Sequence, residues 1–278
     1  MTYINPPAKL PIQDFFQWKR HPFADTDAHK KPFMPEKDQQ QMETILRLLN
    51  TGKSLALCGP SGSGKTTLAH ALLNSLDKNS YRTIFIPYAG YPRNGLARII
   101  AEALGVDIRA RGLPMVARIQ QHIEAMVTAA RPLHPVIIMD DAQRMETDSF
   151  WDLSAFLFQT SKQAAAASLI LVGDEKLAKN LELSSMLPIR SRLTGIMRLQ
   201  PMNEKDTRHF IQKRLESAGA PPDLFASDAV DLIAASTRGN RRAVMNMATM
   251  ALEEAYMREE KTISAELFYC ADWFNRSE

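Results

Sequence analysis

Apolar residues recur along this chain in two alternating rhythms. Between residues 36 and 50, EKDQQQMETILRLLN places Met42, Ile45, Leu46 and Leu49 at helical spacing, behind an acidic start that suits the helix dipole. SLALC then forms a short buried strand, and GKTTLAHALLNSL a helix that turns Leu68, Leu72, Leu73 and Leu76 inward. TIFIPY (83–88) predicts a strand, and NGLARIIAEALG (94–105) a helix with Leu96, Ile99, Ile100 and Leu104 on one face. PMVARIQQHIEAMVTAA is a further helix, and HPVIIMDD (134–141) an apolar strand ending in two carboxylates. FWDLSAFLFQTSKQ reads as helix and SLILVGD (168–174) as another buried strand. Strands that are apolar throughout and separated by helices predict an α/β fold, with a parallel sheet covered on both faces.

After about residue 200 the strand signal stops. EKDTRHFIQKRLESAG, DAVDLIAASTRG, NRRAVMNMATMALEEAYMRE and SAELFYCADWF all read as helices, which marks a small all-helical module. At the other end, FFQWKRHPFADTDAHKKPFMP is rich in aromatics, proline and charge and predicts an irregular arm that packs by its aromatic rings. The expected organisation is an N-terminal arm (1–35), an α/β core (36–200) and a helical domain (201–278).

Composition narrows the class without choosing within it. With 278 residues, 45% hydrophobic and 23% charged, the chain can bury one large core plus a small appendage. Two cysteines, Cys58 and Cys270, are too few for a disulfide framework, and a buried Cys58 fits a reducing cytoplasm. The N-terminus lacks a basic stretch leading into an apolar run, and nothing approaches the roughly 18 apolar residues of a membrane span, so a cytoplasmic protein with no membrane partner is expected. A net charge of +3 is compatible with nucleic-acid contact and does not require it.

The candidate chemistry lies where the first strand breaks. Gly59-Pro60-Ser61-Gly62-Ser63-Gly64-Lys65-Thr66 fits G-x-x-x-x-G-K-[ST] without a gap. Glycines let successive backbone N–H groups turn inward on an anion, and the helix that follows adds its positive end. Lys65 reaches β- and γ-phosphates, the Thr66 hydroxyl ligates Mg²⁺, and Thr67 completes the cradle. A hydrolytic site needs carboxylates on a neighbouring strand, and VIIMDDAQRM supplies them. Asp140 is expected to hold Mg²⁺ as a Walker-B aspartate, and Asp141 stands where a glutamate usually polarises the attacking water. Being one methylene shorter, it predicts slow turnover. Gln143 either orients that water or faces solvent. Asp174, at the end of SLILVGD, is a candidate γ-phosphate sensor or a plain strand-end turn.

The order of P-loop, VIIMDDAQ, LILVGDEKL, PIRSRLTGIMRLQPM and TRGNRRAV resembles AAA+ ATPases of the ExeA-like group, which includes transposition ATP-binding proteins of the TniB and TnsC kind. The Phe-rich FFQWKRHPFADT also resembles the lead-in of ExeA-like chains. The resemblance implies a P-loop core followed by a helical lid, with ATP preferred over GTP; no N-K-x-D guanine-reading motif occurs. It places an arginine finger at Arg192, with Arg190 second, reaching a neighbouring subunit's γ-phosphate. It places Arg242 of GNRR over the nucleotide as sensor 2. A finger supplied in trans implies a homo-oligomeric ring or helical filament.

ExeA-type secretion proteins join such an ATPase to a membrane segment and a wall-binding domain, and neither follows here. The resemblance therefore points to a transposition regulator that assembles on duplex DNA with ATP and presents target DNA to a transposase. In that family DNA contacts come from two loops, matched here by AGYPRNG, with Tyr91 and Arg93, and VDIRARG, with Arg109 and Arg111. Two alternatives stay open. One is a secretion or envelope-assembly ATPase acting as a protein-interaction switch without DNA. The other is a helicase-loader or replication-initiation ATPase.

Overall fold

The computed structural model describes residues 10–25, 32–109, 112–158 and 166–275, with Arg93 and residues 155–158 described by their backbone. In chain order the first elements are α1 (Ile12–Phe16), α2 (Glu36–Asn50), β1 (Ser54–Cys58), α3 (Lys65–Ser75) and β2 (Tyr81–Ile86). Next come α4 (Arg93–Leu104), α5 (Met115–Thr128), β3 (His134–Met139), α6 (Thr147–Phe158) and β4 (Ser168–Gly173). Then follow α7 (Glu175–Glu182), α8 (Leu187–Arg190), β5 (Leu193–Arg198), α9 (Glu204–Ala218), α10 (Ser227–Thr237) and α11 (Arg241–Arg258). Two short helices close the chain, α12 (Ala265–Tyr269) and α13 (Asp272–Asn275). These elements divide into two compact units: Met34–Gln200, and the described residues up to Phe33 together with those from Pro201 onward.

In the first unit five parallel strands form one sheet in the order β2-β3-β4-β1-β5. Successive strand residues point to opposite faces, so the apolar runs feed two separate cores. Leu55 and Leu57 of β1, Val136 and Ile138 of β3, and Ile170 and Val172 of β4 meet Ile45, Leu49, Leu68 and Leu72 of α2 and α3. The alternate residues Ala56, Ile137, Met139, Leu169 and Leu171 meet Leu96, Ile100, Ile119, Ile123, Phe150 and Leu177 on the other face. Helices on both faces and strands on both sides explain why β1 and β4 are buried at every position. The edge strands β2 and β5 are half-exposed.

Strand limits shift from the sequence expectation for local reasons. β2 begins at Tyr81, paired with His134, and ends at Ile86, because Pro87 has no N–H for the ladder. β3 ends at Met139, and the two carboxylates lie beyond it, with Asp141 in the left-handed region at φ 54°. Ser54 extends the β1–β4 pairing by accepting the Leu169 N–H on its hydroxyl at 2.8 Å.

In the helical unit Phe15, Phe16, Trp18 and Phe23 are buried among Phe210, Leu215, Phe225, Leu252 and Phe268. Backbone ties accompany the rings: Lys19 N–H donates to Ala218 O at 2.9 Å and Arg214 Nη2 to Ala24 O at 2.7 Å. Lys261 Nζ donates to Phe15 O at 2.6 Å and lies 3.8 Å from the centroid of the Phe15 ring. The aromatic segment is thus part of this unit's core. SAELFYCADWF forms two helices, α12 and α13, instead of the single one its composition suggests. Among the described residues no helix is long and apolar enough to cross a membrane.

The two thiols occupy contrasting environments. Cys58, at the end of β1, is buried, and burial, reinforced by the Glu175 carboxylate, pushes its pKa up to about 11. Cys270 is exposed. In the native protein Ellman's reagent is expected to titrate one thiol per chain rapidly and the second only after guanidinium unfolding. Two fast thiols would contradict this burial.

Candidate nucleotide-binding site

The loop between β1 and α3 is shaped by backbone crowding. Gly59 lies against the chain leaving β5: Leu199 N–H donates to Cys58 O at 2.8 Å, and a Cβ on Gly59 would stand 2.4 Å from Leu199 O. Gly62 and Gly64 take φ of 79° and 96°, where side chains are strained, and Ser63 N–H closes a turn on Pro60 O at 3.2 Å. Helix α3 starts directly from Gly64, with no side chain capping its first N–H groups. Lys65, Thr66 and Thr67 make up the start of that first turn, so the positive end of α3 faces the loop. Lys65 Nζ bridges Gly59 O and Pro60 O, both at 2.9 Å. A cation is therefore held at the loop mouth, where phosphate oxygens would meet it.

Asp140 is fixed on every side. Its N–H donates to Ile86 O and its carbonyl accepts from Ala89 N–H, both at 2.9 Å, which fastens it to the end of β2. One carboxylate oxygen accepts the Thr66 hydroxyl at 2.6 Å and the other the Asp141 N–H at 2.9 Å. β3 is separated from β1 by β4, so this hydroxyl–carboxylate pair is made across the C-terminal edge of the sheet, where open α/β sheets bind ligands. A hard hydroxyl and a hard carboxylate oxygen in contact suit Mg²⁺. Mg²⁺ commonly takes one or two protein oxygens and fills its octahedron with water and phosphate oxygens, which a single Thr–Asp pair allows.

Asp141 is half-exposed, and its carboxylate accepts from Gln143 Nε2 at 3.0 Å. Arg144 Nε lies 3.9 Å from its second oxygen, and the same guanidinium sits 5.9 Å from the Tyr88 ring centroid. Gln143 reaches into the site instead of solvent, because its Oε1 also accepts the Asp174 N–H at 3.3 Å. Arg144 follows DDAQ directly, and that adjacency is the sequence signal for its place beside Asp141. Asp174 caps α7 by accepting the Lys176 N–H on Oδ1 at 2.8 Å.

Arg192 is exposed between α8 and β5, with Nη1 donating to Pro188 O at 2.6 Å, and Arg190 is exposed at the end of α8. Arg242 belongs to the other unit, exposed in the first turn of α11, whose cap is Asn240 accepting from Ala243 N–H. Arg238, Arg241 and Arg242 crowd a helix N-terminus that disfavours cations. Arg109 is exposed and lines a groove of about 740 Å³ with Asn94, Arg98 and Met115. Arg93 opens α4, and Arg111 lies outside the described residues.

A glycine cradle ahead of a helix, a lysine at its mouth, and a hydroxyl–aspartate pair on the central edge of a β2-β3-β4-β1-β5 parallel sheet are the parts of a P-loop nucleotide-binding fold. Residues 47–181 match the family model of the AAA domain, and the architecture is the AAA+ fold. The replication factor C small subunit of Aeropyrum pernix is 23% identical over 197 residues, 71% of this chain and 51% of that protein. The chain thus spans about half the length of the curated relatives it matches. Cdc6p from Pyrobaculum aerophilum superposes with a TM-score of 0.66 at 21% identity, covering 87% of this chain and 67% of that one. The ORC1 protein of Aeropyrum pernix, solved in complex with DNA, gives 0.61 at 19%, with 85% and 64% covered.

Proposed function

We propose that this chain is an ATP-dependent AAA+ regulator that oligomerises on duplex DNA and selects or activates target DNA for a transposase, in the manner of the TniB and TnsC group. The observation that carries the ATP-dependent part is the Thr66–Asp140 contact beside the Lys65-spanned glycine loop. Backbone N–H groups and Lys65 bind the triphosphate. Thr66 and Asp140 hold Mg²⁺, which when bound neutralises phosphate charge. Asp141 orients the attacking water, and the short carboxylate makes turnover slow.

Arg192, exposed beside an edge strand, is assigned to a neighbouring copy's γ-phosphate, with Arg190 as its substitute. Arg242, exposed in the first turn of α11, is assigned to the nucleotide as sensor 2. ATP then joins adjacent copies head to tail, in a ring or filament. Arg93, Arg109 and Arg111 are assigned to DNA phosphates, without sequence preference. The protein acts in the cytoplasm.

A second reading, a replication-initiation ATPase, is favoured by the likeness to Cdc6p and to ORC1 in complex with DNA. Both readings require DNA binding. With a non-hydrolysable ATP analogue, filter binding to a 40-base-pair duplex, a probe length of about four helical turns, is expected to weaken about a hundredfold between about 50 and about 200 mM salt. Electron microscopy of the same mixture is expected to show ordered assemblies on DNA. Absence of salt-sensitive binding would sink both readings, and a stable complex with a transposase, not with a replicative helicase, selects the first.

A further inference from the structure

One neutral side chain joins the ends of β3 and β4 at Asp141, the carboxylate that follows Asp140. Gln143 donates from Nε2 to Asp141 at 3.0 Å and accepts on Oε1 from the Asp174 N–H at 3.3 Å. A primary amide is the side chain that offers a donor and an acceptor on one rigid plane without a charge. The space is cut to fit it: a Cβ on Gly173 would stand 2.7 Å from Gln143 Oε1. The Asp174 carboxylate is committed to the cap of α7, so the polar link from β4 towards the catalytic edge runs through its backbone N–H.

We infer that Gln143 is the positioning residue for Asp141, tying the water-orienting carboxylate to the end of β4. This rests on the hydrolytic reading of the P-loop site. The physical need is specific to an aspartate. Its carboxylate hangs from a backbone in the left-handed region and reaches one methylene less far than a glutamate, so a small swing takes it off line. Arg144 Nε stands 3.9 Å from the other carboxylate oxygen, ready to draw it aside when the amide is lost. The amide thus holds the carboxylate in place without adding a charge beside it.

Gln143→Leu keeps the volume and removes both hydrogen bonds. It is expected to lower kcat for ATP about tenfold or more while KM and fluorescent-nucleotide affinity stay within about twofold. Gln143→Glu keeps an acceptor for the Asp174 N–H but sets two carboxylates together. Its turnover is expected to rise about threefold or more as pH falls from about 8 to about 6, because the protonated acid then donates to Asp141 as the amide did. A purely structural role gives no such pH profile. Amide exchange at Asp174, read by mass spectrometry on the full-length chain, is expected to quicken about tenfold in Gln143→Leu. Turnover within twofold of wild type in both variants, or unchanged exchange at Asp174, overturns the assignment. If the wild type itself hydrolyses no ATP, the hydrolytic reading fails, whereas unaltered exchange would refute the clamp alone.

Discussion

Lys65→Ala is expected to weaken ATP binding about tenfold or more and to cut hydrolysis about a hundredfold, the largest functional loss any single side chain here should produce. The ammonium group does two things at once. It spans Gly59 O and Pro60 O, which gathers the loop around its own carbonyls, and in the proposed function it meets the γ-phosphate. Alanine removes the charge and leaves two loop carbonyls without that donor, so both the shape and the electrostatics of the cradle suffer. Titration with a fluorescent ATP analogue measures the first effect and phosphate release the second. Sedimentation with and without ATP tests the proposed assembly, since nucleotide-driven self-association should vanish together with binding. A variant that keeps full affinity and ATP-linked association would remove the basis of the proposed function.

Gly239→Ala is expected to be the most damaging structural change, destabilising the helical unit by about 4 kcal/mol. Gly239 adopts φ of 72°, and a Cβ there would stand 1.8 Å from Met202 O and 2.6 Å from its carbonyl carbon. Those are backbone atoms, which cannot rotate aside as a side chain end would. The same pair is hydrogen-bonded, Met202 N–H to Gly239 O at 3.0 Å, so retreat of either strand of chain breaks that bond. The next residue, Asn240, caps α11, and the displacement would reach the arginines of that first turn. Urea denaturation followed by circular dichroism at 222 nm should show the shift, with the wild-type slope retained. Stability within about 1 kcal/mol of wild type would mean that the close approach is not present in solution.

Local features of the sequence carried over well. The helix at Glu36–Asn50 was legible because Met42, Ile45, Leu46 and Leu49 sit at one spacing behind an acidic start, and Ile45 and Leu49 are indeed fully buried. The P-loop was legible because its chemistry is written in consecutive residues, and the glycines at 62 and 64 do take the left-handed conformations that anion cradles need. Less legible were the ends of elements. SAELFYCADWF is apolar enough for one helix yet divides at Cys270, and the cap that Asp174 places on the Lys176 N–H was one of two roles its strand-end position allowed.

What local pattern specifies here is therefore the set of elements and the phosphate loop, since periodicity and glycine spacing act over a few residues. Strand order was beyond its reach. Every interior strand is equally apolar, so nothing along the chain says that β4 enters between β1 and β3; that follows from long-range packing of helices on both faces. The contact of Thr66 with Asp140 spans 74 positions, and the placing of Gln143 against the Asp174 N–H spans 31. Such pairs exist only because a parallel sheet brings the ends of separate strands to one edge, and the chemistry of the site is assembled there.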